Sequence, residues 1–277
     1  MPNRFGSFAG RAREKARLLA LLKSDGILDR MPLGVCDFID DHYDTGVPYH
    51  GPTHVLSGLL YLGSREAPIG AQVVWIGHDA GHNGFAAESP EIVSAMHAFE
   101  WLHERPDWLA ANSINPQDCV EPINDTRFPY AWPRRSAVSG WVRLADTLRI
   151  ASGDTASLLD GDGTPFHAYF YESIRFCDEL HATKKLDIWN ARGDLLTWLG
   201  KGQIGFFFPA MEAAIAEGDR FTGITVLMIQ SLFQNHERLK KLLSSEAGAK
   251  KLLHAYDFLG DDITFPEFVV EARAIGL

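Results

Sequence analysis

The stretch that most limits what this chain can become is QVVWIGHDAGHNG, residues 72–84. An apolar run from Val73 to Ile76 leads straight into His78 and Asp79, with His82 close behind and Gly84 to end the turn. On a helix over 70–82, Val74, Trp75, His78 and His82 share one face through i, i+3 and i+4 spacing. That face is apolar apart from its imidazoles, so it points inward. Two imidazoles and a carboxylate in an interior need a partner to offset desolvation, and a metal ion is the obvious one. The alternative is one or two buried histidines bonded to backbone carbonyls. This stretch alone leaves the two readings level.

A second cluster upstream changes the balance. Four of the chain's eleven histidines fall between residues 50 and 82, two of them in Tyr49-His50-Gly51-Pro52-Thr53-His54. Gly51 and Pro52 argue against a regular helix through both histidines. Pro52 instead suits the first position of a helix that continues as THVLSGLLYLG. His50 then lies in the turn before that helix and His54 in its first turn. Farther on, SGWVRLADTLRIAS sets Asp146 among apolar residues, where an unpaired carboxylate is costly. Histidines and carboxylates from three separate helices converging on one point describe a hydrolytic metal site.

In chain order, YH-x-x-x-H, HD-x-x-H-x-G, Ala145-Asp146 inside an apolar helix and Gln203-Ile204-Gly205-Phe206 resemble the catalytic domain of class I 3′,5′-cyclic nucleotide phosphodiesterases. That family belongs to the larger HD-domain metal-hydrolase superfamily, and the resemblance covers residues 45–215. HD by itself would be weak; the combination is specific. The resemblance implies a compact, bacterial-type enzyme with two divalent metal ions. His54, His78, Asp79 and Asp146 would bind the first, zinc or else iron or manganese. Asp79 would bridge to a second, magnesium or manganese, held mostly by waters. A hydroxide between the ions would then open the 3′ ester of cAMP or cGMP to the 5′-monophosphate.

The same resemblance assigns the surrounding roles. His50 resembles the general acid, with Glu91 the carboxylate that holds its proton. His82 resembles the histidine that bonds the bridging water or a ligand carboxylate. Gln203 and Phe206 resemble the amide and ring that fix a nucleobase, and Tyr49 and Arg149 complete the substrate-binding set. Two departures bear on base selection. Arg149 stands where the family carries asparagine three residues after the aspartate, and Phe85-Ala86-Ala87 replaces a second asparagine. Arg149 either faces the pocket and favours an extra phosphate or carboxylate on the substrate, or pairs with Asp154 at the surface. Other HD-domain chemistries stay open: a nucleotidase, an alarmone or 2′,3′-cyclic diester hydrolase, or a di-iron oxygenase.

The rest of the chain reads as helix, without convincing period-2 runs. The periodicity predicts helices over 10–24, 32–43, 52–65, 70–82, 90–104, 136–151, 165–199, 203–217 and 220–244. Residues 105–135 hold Pro106, Pro116, Pro122, Pro129 and Pro133 and read as irregular, with one short helix around 116–124. Ser152–Pro165 reads as a loop, and a short helix after Pro266 closes the chain. The expected architecture is a single all-α domain over 1–277, a multi-helix bundle with its metal site between helices. Residues 1–30 form an N-terminal helical extension and 245–277 a closing segment.

Charge and composition limit the partners. A balance of 26 basic and 36 acidic residues, net −10, has no basic cluster to follow a nucleic-acid backbone, and the partner that the resemblance implies is a small nucleotide. No run of 18 apolar residues predicts a membrane span. The N-terminal helix is expected to pack Leu18, Leu21 and Leu22 with its Arg and Lys side chains in water. Cys36, Cys119 and Cys177 are scattered and read as reduced thiols of a cytoplasmic protein. Ile224, Met228, Leu232, Leu239 and Leu242 make a helical stripe that serves either as core or as the contact of a homodimer.

Overall fold

Among the described residues the helical periodicity is realised as helix, with some shifted ends. The computed structural model describes residues 9–82, 89–127, 136–159, 162–182, 222–259 and 263–277; every regular element among them is helical, with no strand. The chain divides into two compact units, Lys15–Asp146 and a second made of Met1–Glu14 with Thr147–Leu277. Beginning within α1 (Ala9–Ser24), the first unit runs through α2 (Val35–His42), α3 (Pro52–Ser64), α4 (Ile69–Gly77), α5 (Pro90–His103), α6 (Pro106–Asn112), α7 (Gln117–Asn124) and α8 (Ala137–Arg143). A π-helical turn, Leu144–Leu148, carries the dividing point. The second unit then holds α9 (Arg149–Ser152), α10 (Ala156–Leu159), α11 (Pro165–Ala182), α12 (Thr222–Leu243), α13 (Glu246–Leu259) and α14 (Phe265–Ala274).

In the first unit α4 is the central rod. Ala71 to Gly77 are all buried, and α3, α5, α7 and α8 pack around them. Two glycines allow close approach. A Cβ on Gly58 would sit 2.1 Å from the Trp75 ring, and one on Gly77 would sit 2.5 Å from the Ala98 Cβ. In the second unit α12 packs on α9 and α11, with Met228, Leu232 and Leu239 buried. The stripe on α12 therefore serves as core at those positions, while Leu242 is half-buried and the Ile224 side chain lies outside the described residues. Leu18 and Leu22 of α1 are buried as expected, and Leu21 is half-buried.

Several boundaries differ from the periodicity. The helix expected over 70–82 stops at Gly77, and residues 78–82 form a turn. The proline-rich stretch holds two helices instead of one. Pro106 sits in the first turn of α6, where its missing N–H is no loss, and Pro122 is tolerated inside α7. The expected loop after Ser152 contains the short α10. Two helices close the chain, the last capped reciprocally by Thr264 and Glu267. Of the 165–199 helix the part to Ala182 is described; 203–217 lies outside the described residues. No described helix is long and apolar enough to cross a membrane.

Candidate metal centre

Three short pieces of chain bring the donors together, all within Lys15–Asp146. Pro52 starts α3 as its composition demands, so His50 stays in the preceding turn and His54 enters the first helical turn. Gly51 is obligatory there, because a Cβ would lie 2.7 Å from the Val47 carbonyl oxygen. At the other side α4 ends on Gly77, and a tight turn follows. The Ala80 N–H donates to the Gly77 carbonyl at 3.2 Å and the His82 N–H to the Asp79 carbonyl at 2.8 Å. This turn, and not a continued helix, presents His78 and Asp79. Asp146 comes from the middle of the π-helical turn, a local widening frequently found at functional sites.

Ligand atoms of His54, His78 and Asp146 lie within 4.8 Å of one another, and Asp79 Oδ2 stands beside both histidines. His54 Nε2 lies 3.6 Å from Asp79 Oδ2 and 3.5 Å from Asp146 Oδ1. His78 Nε2 lies 3.0 Å from Asp79 Oδ2 and 3.9 Å from Asp146 Oδ1. Donors around one ion with bonds of about 2.0–2.1 Å are separated by roughly 3–3.5 Å; two of these spacings fall in that range, and 3.6 and 3.9 Å lie just beyond it. Both histidines are 1% exposed. His78 Nε2 and Asp79 Oδ2 are buried 3.0 Å apart as an ion pair. Two imidazoles and two carboxylates drawn together in this way are a donor set that fits a divalent cation.

The tautomer of His78 is set from behind. Its Nδ1 lies 2.6 Å from the Trp75 carbonyl oxygen and so carries the proton, which turns the lone pair of Nε2 toward the donor cluster. The Trp75 ring stacks on His78 at 4.0 Å and anchors to α3 through its indole N–H, which donates to the Val55 carbonyl at 2.7 Å. Burial favours the neutral imidazole at His78, but Asp79 and then Asp146 outweigh it and hold its pKa above the ordinary histidine value. Burial likewise favours a protonated Asp79; His78, His50 and His82 outweigh it and hold the carboxyl well below the usual range. Two carboxylates in this interior demand positive charge, and a cation supplies it as well as an imidazolium does.

Beside the donors, His50 and His82 stack at 3.9 Å, with Tyr49 edge-on to His50 at 4.7 Å. Tyr49 also lies 4.6 Å from the His54 ring. Tyr49, His50, His54, His78, Asp79, His82 and Asp146 thus form one neighbourhood. Glu91 stands in the first turn of α5, where a carboxylate complements the helix dipole. Arg149 is a correction: it is not at the surface but 0% exposed in the second unit, with Nη1 3.5 Å from Glu172 Oε1. The π-helical turn widens the winding between Asp146 and Arg149, so the two do not stack as they would on a regular α-helical turn. Gln203, Phe206 and Phe85-Ala86-Ala87 lie outside the described residues.

The sequence reading missed Tyr43. Buried at the end of α2, it donates its hydroxyl to the Ile76 carbonyl at 2.6 Å and accepts the Asp79 N–H at 3.3 Å. A tyrosine in Asp41-His42-Tyr43-Asp44 carries no periodic signal that points to α4. Comparison with family models, with curated proteins and with solved structures yields no match.

Proposed function

We propose that this chain is a metal-dependent phosphodiesterase of the HD type, opening the 3′ ester of a cyclic nucleotide to the 5′-monophosphate. One observation carries the reading: donor atoms of His54, His78, Asp79 and Asp146, drawn from three elements, stand 3.0–3.9 Å apart along four edges of one buried cluster. His54, His78 and Asp146 bring their ligand atoms within 4.8 Å of one another. These residues would hold zinc, iron or manganese, and Asp79 would share a second ion, magnesium or manganese. When bound, such ions acidify water and neutralise phosphate charge.

The chain's own groups do the rest. The Trp75 carbonyl keeps His78 in the ligating tautomer. His50, stacked on His82 in the turn before α3, gives a proton from an imidazole nitrogen to the 3′ oxygen as its bond to phosphorus breaks. His82 holds the His50 ring face in place, and Tyr49 closes its edge. The choice of a cyclic nucleotide is supported by the order of motifs along the sequence, from Tyr49-His50 through Gln203 and Phe206.

A hydrolysis screen tests the reading, with zinc, manganese or magnesium added and products identified for cAMP, cGMP and nucleoside monophosphates. Hydrolysis of a cyclic nucleotide to the 5′-monophosphate is the expected result. Asp79→Ala should lower it by about a thousandfold or more, since metal stabilisation is worth several kcal/mol. Activity retained in Asp79→Ala, or none on any phosphoester, would refute the proposal.

A further inference from the structure

The turn that presents His78 and Asp79 has an incomplete hydrogen-bond ledger of its own. A helix end leaves its last carbonyls without intrahelical partners, and a buried one must find them elsewhere. At the end of α4 the Trp75 carbonyl is taken by the His78 ring at 2.6 Å and by the His78 N–H at 3.4 Å. The Gly77 carbonyl is taken by the Ala80 N–H. That leaves the Ile76 carbonyl and the Asp79 N–H, the two backbone groups flanking the His78 peptides. One atom serves both: the hydroxyl of Tyr43, donating to the first at 2.6 Å and accepting from the second at 3.3 Å.

Tyr43 is well placed for that work and for little else. It caps the C-terminus of α2 in an extended conformation, its own N–H still bonded to the Ile39 carbonyl. Its ring is 2% exposed, so no water competes for its hydroxyl. A phenylalanine would fill the same space but leave both backbone groups short of a partner.

We propose that Tyr43 is a positioning residue for the metal ligands: its hydroxyl, bridging Ile76 O and Asp79 N–H, locks the turn after α4 in the shape that aims His78 and Asp79 at one point. The inference rests on the metal reading of the cluster. It assigns to a residue outside the donor set, and 35 positions before His78, control over how well the pair binds.

Titration calorimetry of the full chain with zinc or manganese alone, without nucleotide, is the test. Tyr43→Phe should lose metal affinity by about ten- to a hundredfold, the range for groups that orient ligands. Thr126→Val is the control. It removes a comparable buried hydroxyl bond, Thr126 Oγ1 to the Ile123 carbonyl at 2.7 Å, in the same unit. It should lower the thermal midpoint and leave metal affinity unchanged. Equal thermal losses with unchanged metal affinity in both variants would overturn the role of Tyr43. An unsubstituted protein that binds no metal would instead sink the metal reading and this role with it. Amide exchange on the metal-free wild type is a second measurement that needs no variant. The Asp79 N–H should exchange as slowly as those inside α4, and free exchange would overturn the inference.

Discussion

At the scale of single residues, what counts is how tightly each donor is supported. Trp75 binds α3 to α4, stacks on one ligand and fixes its tautomer through its carbonyl. Gly58 makes room for it, since a Cβ there would fall 2.1 Å from the indole. Gly58→Ala should therefore cost about 1–3 kcal/mol of stability by overpacking, read as a shifted urea midpoint. A midpoint equal to that of the wild type would show that the ring can move aside. His42 is a residue with a pH signature. Burial and the facing His97, 4.4 Å away, hold its pKa below the ordinary value, with Asp41 and Glu100 partly opposing. The unfolded chain then binds the proton more readily, so stability rises with pH through this window. The contribution is complete above about 6.5 and is lost as pH falls below it. Thermal melts at pH 7.5 and 5.5 should show an acid loss that His42→Gln reduces; an unchanged loss would rule out this pair as its source.

At the scale of elements, local pattern and packing divide the credit. Helix α3 begins where Pro52 says it must, and α5 begins at Pro90 on the same logic. The end of α4 is different. Within residues 72–82 Gly77 and Gly81 weaken the helix without fixing where it stops, and the side chains of Tyr43 and Ser94 bond the turn that follows from outside. The π-helical turn at Leu144–Leu148 is equally silent in sequence. It separates Asp146, which joins the donors, from Arg149, which pairs with Glu172 of α11. That pair is buried on both sides. Arg149→Met alone should cost about 3–5 kcal/mol by stranding a carboxylate, and adding Glu172→Leu should recover much of it. Chemical denaturation of the single and double variants checks this, and additive losses would refute the coupling.

For the whole molecule, metal binding and stability are one quantity. All four donors belong to Lys15–Asp146, so a cation bound as proposed would stabilise that unit directly. Free metal at a thousandfold above its dissociation constant adds about 4 kcal/mol. That raises the melting midpoint by on the order of 10 °C if the chain melts in one step. A chelator should return the midpoint to its starting value, and slowed amide exchange should appear first across 52–82. A midpoint indifferent to both additions would leave the cluster without a cation to bind.

The sequence by itself determined that the described residues fold as helices, where α3 starts, and which side chains have donor chemistry, because period, proline position and residue type are local properties. His54, His78, Asp79 and Asp146 stood out as one set only through the resemblance in motif order; residue type alone left His50 and His82 beside them. The approach of each histidine to the two carboxylates within 3.0–3.9 Å, the arrest of α4 at Gly77, the bridging hydroxyl of Tyr43 and the burial of Arg149 were decided only by the tertiary structure. Each depends on groups far apart in the chain finding one another as helices pack, and no short-range pattern encodes that.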